Sequence, residues 1–183
     1  MKKHIIYLEL LLLILIFCFP SLSTASTGGL DPAIQELYVQ GLDDTLNFDY
    51  AQAHQKFTEI VALDNTHPSA YVGLATIQVM RLLETPHSSE ARENLEYYVV
   101  LAETTGRAAA TADNHSPSDL YFYSIAQALK ARLRMYEENL AQTMSLGLAA
   151  INTMNQAYDE DPEFLDAAIA QALYDYFVGL APS

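Results

Sequence analysis

Cysteine is almost missing from this chain of 183 residues: the only one, Cys18, lies within its first twenty positions. No intrachain disulfide can form, so stability must come from packing. Basic residues are scarce, 9 Lys and Arg against 23 Asp and Glu, for a net charge of −14. Such an acidic body repels a nucleic-acid duplex or an anionic membrane surface. Solubility explains the charge, and a basic partner would exploit it. Alternating β-branched runs between turn signals are lacking, so a sheet is not expected. A glycine-rich phosphate loop and a nucleophile set beside a base are lacking too. Catalytic, cofactor and metal residues are therefore not assigned, and the chain does not read as an enzyme.

What is present begins with a basic start, Lys2, Lys3 and His4, and an apolar run from Ile5 to Phe19 broken only by Glu9. Ser23-Thr24-Ala25 follows, which completes the layout of a secretory signal peptide over 1–25. The run of 15 residues falls short of the roughly 20 that span a bilayer. An uncleaved membrane anchor is the alternative. Phe17 before Cys18 argues against lipidation. Cleavage after Ala25 leaves residues 26–183 as one domain, with 7 basic and 22 acidic side chains, and no membrane insertion is expected of it. Gly28-Gly29 reads as a flexible start.

Four helix starts carry proline at the first helical position: Asp31-Pro32, His67-Pro68, Ser116-Pro117 and Asp161-Pro162. That position's N–H has no partner inside a helix, so proline is tolerated there. Ser116 and Asp119 have the spacing of a capping box. The prolines stand 36, 49 and 45 residues apart, each interval long enough for two helices. The reading predicts about seven helices near 31–46, 49–63, 68–84, 88–105, 117–136, 139–159 and 162–180. Gly106-Arg107 ends the fourth, and 108–115 is the longest loop unless its alanines extend the helix. Ile125-Ala126-Gln127-Ala128-Leu129 recurs as Ile169-Ala170-Gln171-Ala172-Leu173.

With the register started at Ile34, Gly41 is eighth, Tyr50 seventeenth, Ala53 twentieth and Phe57 twenty-fourth, and Leu63-Asp64 closes the unit. Ala70, Tyr71, Leu74 and Ala75 open the next unit, counted from Pro68. These residues resemble the tetratricopeptide repeat, a helix pair of about 34 residues with small and aromatic residues at those places. The resemblance is good over 34–67 and degenerate over 68–183. It implies an α-solenoid of antiparallel helix pairs in which Gly41, Ala53 and Ala75 admit close approach beside Tyr50, Phe57 and Tyr71. It also implies an exported bacterial protein, periplasmic by expectation, acting as a scaffold or adaptor for a protein or peptide.

The family's concave face would fall on Gln35, Tyr38, Leu42 and Thr45, then Ser69, Val72, Thr76 and Val79. Gln35, Tyr38, Leu42, Val72 and Thr76 are the candidate partner groove, unless Tyr38, Leu42 and Val72 merely pack between repeats. An alternative is a solute-binding accessory of a transport system, with Tyr121, Phe122, Tyr123, Tyr174, Tyr176 and Phe177 around a cavity. The helix over 162–180 is apolar nearly all round, which predicts cover by a second subunit or by further chain.

Remaining clusters have bland readings. Lys130, Arg132 and Arg134 sit at a helix C-terminus, where cations are favoured, or form an anion site. His54, His67, His87 and His115 include no i, i+4 pair. Asp159, Glu160, Asp161 and Glu163 read as solvated capping at a helix start and lack the spacing of a calcium loop.

Overall fold

The structure is a computed structural model and describes residues 27–169 and 172. The expected signal peptide, and residues Tyr174, Tyr176 and Phe177, lie outside the described residues. Among these residues the fold is all-α, without strands. The helices are α1 (Pro32–Leu46), α2 (Tyr50–Leu63), α3 (Ser69–Glu84), α4 (Ser89–Ala110), α5 (Pro117–Tyr136) and α6 (Leu140–Glu160). Residues 165–169 begin a further helical stretch.

Helix starts are set by side chains that take up free amides. Asp31 Oδ1 accepts from the N–H groups of Ala33 and Ile34 at 2.8 and 3.4 Å, before Pro32. Ser116 accepts from Asp119 N–H at 3.3 Å while Asp119 Oδ2 accepts from Ser116 N–H at 2.8 Å, which is the expected capping box. Two of the four prolines depart from expectation. Pro68 is the cap residue itself, and the ring of His67 accepts from Ser69 N–H at 3.3 Å in its place. Pro162 lies in a turn closed by Phe164 N–H donating to Asp161 O at 3.0 Å, so the helical stretch starts later than 162.

The fourth helix also outruns its expected end. Gly106 lies inside α4 rather than stopping it, and Ala108–Ala110 continue the helix. A Cβ at Gly106 would stand 3.1 Å from Tyr123 Cα, so the missing side chain permits close approach of α4 and α5.

Each helix packs against the next in the chain; α3 also packs against α1 and against α5. One continuous core joins them, including Tyr38, Leu42, Phe57, Ile77, Leu95, Tyr121, Phe122, Leu129 and Met154. Phe57 is fully buried, and its ring fills the space beside Gly41 of α1 and Gly73 of α3. Ala53 and Ala75 are fully buried as well. Tyr50 and Tyr71 are half-buried and send their hydroxyls outward, to Glu84 Oε2 at 2.5 Å and to Asn65 O at 3.1 Å.

The segment that opens the described residues is docked on α5. Gly28 and Gly29 have φ of +61° and +87°, the left-handed region that glycine occupies without steric cost. Gly28 O accepts from Ser118 N–H at 2.8 Å. A side chain at Gly28 would collide with the ring of Phe164, and one at Gly29 with Ser116 Cβ at 3.0 Å. This glycine pair is therefore a tight turn seated on the first turn of α5, not a flexible lead.

Candidate functional site

The expected partner groove is occupied by the protein itself. Tyr38, Leu42, Val72 and Thr76 are all buried, and only Gln35 of the five keeps partial exposure. Thr45, Ser69 and Val79 are buried too. The hydroxyls on this face are satisfied locally: Thr45 donates to Gly41 O at 2.7 Å and Thr76 to Val72 O at 2.8 Å. Apart from Gln35, these positions form core and offer a partner no surface.

Aromatic rings account for the filling. Tyr38 meets Phe122 edge-on at 4.9 Å and Phe57 at 5.7 Å. Phe122 also takes an edge contact with His67 at 5.3 Å, and Tyr121 meets Phe164 at 5.2 Å. Side chains from α1, α5 and the segment after α6 thus converge where an open inner face was expected. Burial, and secondarily the charge of Asp166, raises the pKa of the Tyr38 hydroxyl well above that of an exposed tyrosine. The space left among Gln35, Tyr38, Tyr121, Phe122 and Phe164 is about 10 Å³. That is room for about one water molecule. A solute cavity would need several hundred Å³.

The histidines go to separate places. His67 Nδ1 lies 2.8 Å from Ser69 Oγ, and its Nε2 lies 3.6 Å from Asp119 Oδ1. The ring nitrogens are used the opposite way round from a hydrolytic triad, in which Nε2 faces the serine and Nδ1 the carboxylate, and Ser69 is fully buried in the first turn of α3. The arrangement caps α3 and ties it to α5. Desolvation lowers the His67 pKa, opposed by the carboxylates of Asp119 and Asp64. His115 Nε2 lies 3.1 Å from Glu160 Oε1, and that hydrogen bond, with one to Ala112 O, raises its pKa. Glu160 therefore joins the end of α6 to the start of α5, a more specific role than solvated capping. His54 and His87 are exposed. Among the described residues no three His, Cys, Asp or Glu side chains come together to hold a metal ion.

The basic cluster splits three ways. Lys130 pairs with Glu103 at 3.4 Å, and Arg134 pairs with Glu137. Arg132 turns inward and is 1 % exposed.

Apolar surface lies elsewhere, on faces the sequence register did not single out. On α4, Tyr97 is 61 % exposed and Val100 stands one turn away, also exposed. Glu93 and Glu96 are exposed on the same helix. Tyr97 contacts the half-buried Tyr98 edge-on at 5.3 Å. On α6, Leu140, Met144 and Leu148 repeat at four-residue spacing and are exposed. The signal for the α4 patch was the Tyr97-Tyr98 pair, but one sequence cannot say which of two adjacent tyrosines faces water. No described helix is long and apolar enough to cross a membrane.

Compared with protein-family models, curated proteins and solved structures, the chain gives no match.

Proposed function

We propose that the chain is a tetratricopeptide-like α-solenoid and works as an interaction scaffold for a protein or peptide. The observation that carries this reading is the order of helix contacts. Consecutive helices pack together, and the first helices of successive pairs, α1, α3 and α5, also pack on one another. The second helices make no comparable contact among the described residues. Stacked hairpins that curve toward their first helices have this contact order. Phe57 seated between Gly41 and Gly73 supports the same reading, since it links one pair to the next.

The partner surface in this proposal is the outer face of α4, not the filled inner face. Tyr97 and Val100 supply exposed apolar area, with Glu93 and Glu96 beside them. An aromatic anchor with an acidic surround suits a segment that is apolar with basic flanks. The export signal belongs to the same proposal: the scaffold acts outside the cytoplasm, periplasmic in a Gram-negative cell, with a retained N-terminal anchor as the alternative.

The test is affinity capture from an envelope extract with the wild-type protein and with Tyr97→Ala/Val100→Ser. The expected result is a protein retained by the wild type and by the α2 control Gln52→Ala/Gln55→Ala, but released by the α4 variant. Retention by all three, or by none, overturns the assignment of this face. N-terminal sequencing of the protein recovered from cells checks export, with Ser26 expected as the first residue.

A further inference from the structure

Glycine inside a helix is less favourable than alanine, so each one asks for a local reason. Three of the four in the described helices have one: a Cβ at Gly41 or Gly73 would strike the ring of Phe57, and one at Gly106 would crowd Tyr123. Each marks a place where two helices come close. Gly147 of α6 is the exception, because a Cβ there would meet nothing within 4 Å among the described residues. Its side of the helix is open as well. Leu140, Met144 and Leu148 are exposed, and with Gly147 they follow the i, i+4, i+7, i+8 spacing of one helical stripe.

Charge separates this stripe from the α4 face. α6 carries no charged side chain from Leu140 to Tyr158. The comparable stretch of α3, Ser69 to Met80, is mostly core. The chain as a whole has a net charge of −14. Two copies of such a body repel one another, and they meet most favourably where neither presents a carboxylate. A basic partner, by contrast, is drawn to the acidic faces and finds no counter-charge along α6. A helix face that is apolar, uncharged and missing one side chain suits a second helix of the same kind.

We propose that α6 is the contact between two copies of this chain, its stripe paired antiparallel with the same stripe of the second copy about a two-fold axis near Met144. Antiparallel pairing sets Leu140 of one copy level with Leu148 of the other, and Met144 level with Met144. It also keeps Glu137 and Glu138, which precede α6, apart from the same residues of the second copy. Parallel pairing would set those acids side by side. Gly147 admits the approaching backbone, and the unbranched Met144 side chain fills the gap that the crossing leaves. One helix pair buries less than a standard interface, so the dimer forms in about the micromolar range. The proposal is independent of the scaffold reading, because that reading uses Tyr97 and Val100 of α4 and stands whether or not the chain pairs.

The experiment is sedimentation equilibrium of the protein recovered from cells, from about 1 µM to about 1 mM. A monomer–dimer equilibrium is expected, and it should tighten as salt is raised, since salt screens the repulsion between two acidic bodies. Met144→Glu places a charge in the stripe at a position already 60 % exposed, and should weaken the dimer at least about tenfold. Gly147→Leu should weaken it at least about tenfold as well, by blocking the close approach. The control Gln52→Glu adds the same charge at an exposed position of α2 and should leave the dissociation constant within about twofold. In the wild type, the methyl resonance of Met144 should shift with protein concentration. A monomer at every concentration overturns the proposal, whether the stripe is free, covered by residues 170–183 or kept for another protein. A dimer that loosens with salt, or that either stripe variant leaves unchanged, overturns it too. If both variants fail to fold, a Met144 resonance that stays still across the concentration range overturns it equally.

Discussion

The ring of Phe57 on α2 occupies the space that a side chain at Gly73 of α3 would need. A methyl group built on Gly73 falls inside contact distance of Phe57 Cδ1 and Cε1, and one built on Gly41 of α1 comes within 2.8 Å of the same ring. One aromatic side chain thereby sets the spacing of three helices. Gly73→Ala should destabilise the protein by about 1–3 kcal/mol through overpacking. Phe57→Ala should cost about 3–5 kcal/mol. Since the two positions share one space, Gly73→Ala/Phe57→Leu should cost clearly less than the sum of its single changes. Urea unfolding of the four variants measures the coupling, and strict additivity would refute the shared space.

Leu42 separates a groove from a core. An exposed groove leucine could be truncated with a change within about 0.5 kcal/mol. Leu42 is 3 % exposed, so Leu42→Ala should lose about 2–5 kcal/mol instead. Thermal and urea unfolding give the answer directly.

The capping box at the start of α5 holds more than one helix end, because Gly28 O also accepts from Ser118 N–H there. Ser116→Ala should cost about 1 kcal/mol, within the range for lost N-caps. Amide exchange at Asp119, whose N–H donates to Ser116 Oγ, should speed up in the variant. Exchange that stays unchanged would show the box to be idle.

Two histidines should shift stability in opposite directions with pH. His67 has its pKa lowered below 6.5, chiefly by desolvation, so its neutral form is favoured in the fold. Its contribution is present above 6.5 and is lost as pH falls through the depressed folded value. His115 has its pKa raised above 6.5 by its hydrogen bonds to Glu160 and Ala112. Its contribution is complete below 6.5 and is lost as pH rises through the raised folded value. Ring-nitrogen NMR titration should place the His67 midpoint below 6.5 and that of His115 above it. In His115→Gln the stability deficit should shrink as pH rises; a deficit that grows instead would reverse the assignment.

Much of the local structure was legible in the chain. Asp31-Pro32 and Ser116-Pro117-Ser118-Asp119 announce helix starts because caps and first-turn prolines act within a few residues. Helical periodicity with no strand signal was enough for an all-α fold. Gly106 misled because glycine ends helices and also admits close contacts, and only the neighbour, here Tyr123, distinguishes the two. Pro162 misled for a similar reason, since Asp-Pro opens turns as readily as helices.

The candidate site was less legible. Tyr38, Leu42, Val72 and Thr76, which the register groups on one face, are all buried. Whether that face meets a partner or its own chain depends on Phe122 and Phe164, distant in sequence from all four. The Lys130, Arg132 and Arg134 cluster likewise separates only when the helix is surrounded.

By itself, the sequence determined where α1 and α5 begin, that the fold is helical, and that packing without disulfides must hold it. Those properties depend on neighbours one helical turn away. Tertiary structure decided that Tyr38, Leu42, Val72 and Thr76 are core, that Tyr97 looks outward, and that Arg132 is buried with no ion pair among the described residues. Such outcomes depend on which side chains from remote segments compete for the same volume, and no local spacing carries that information.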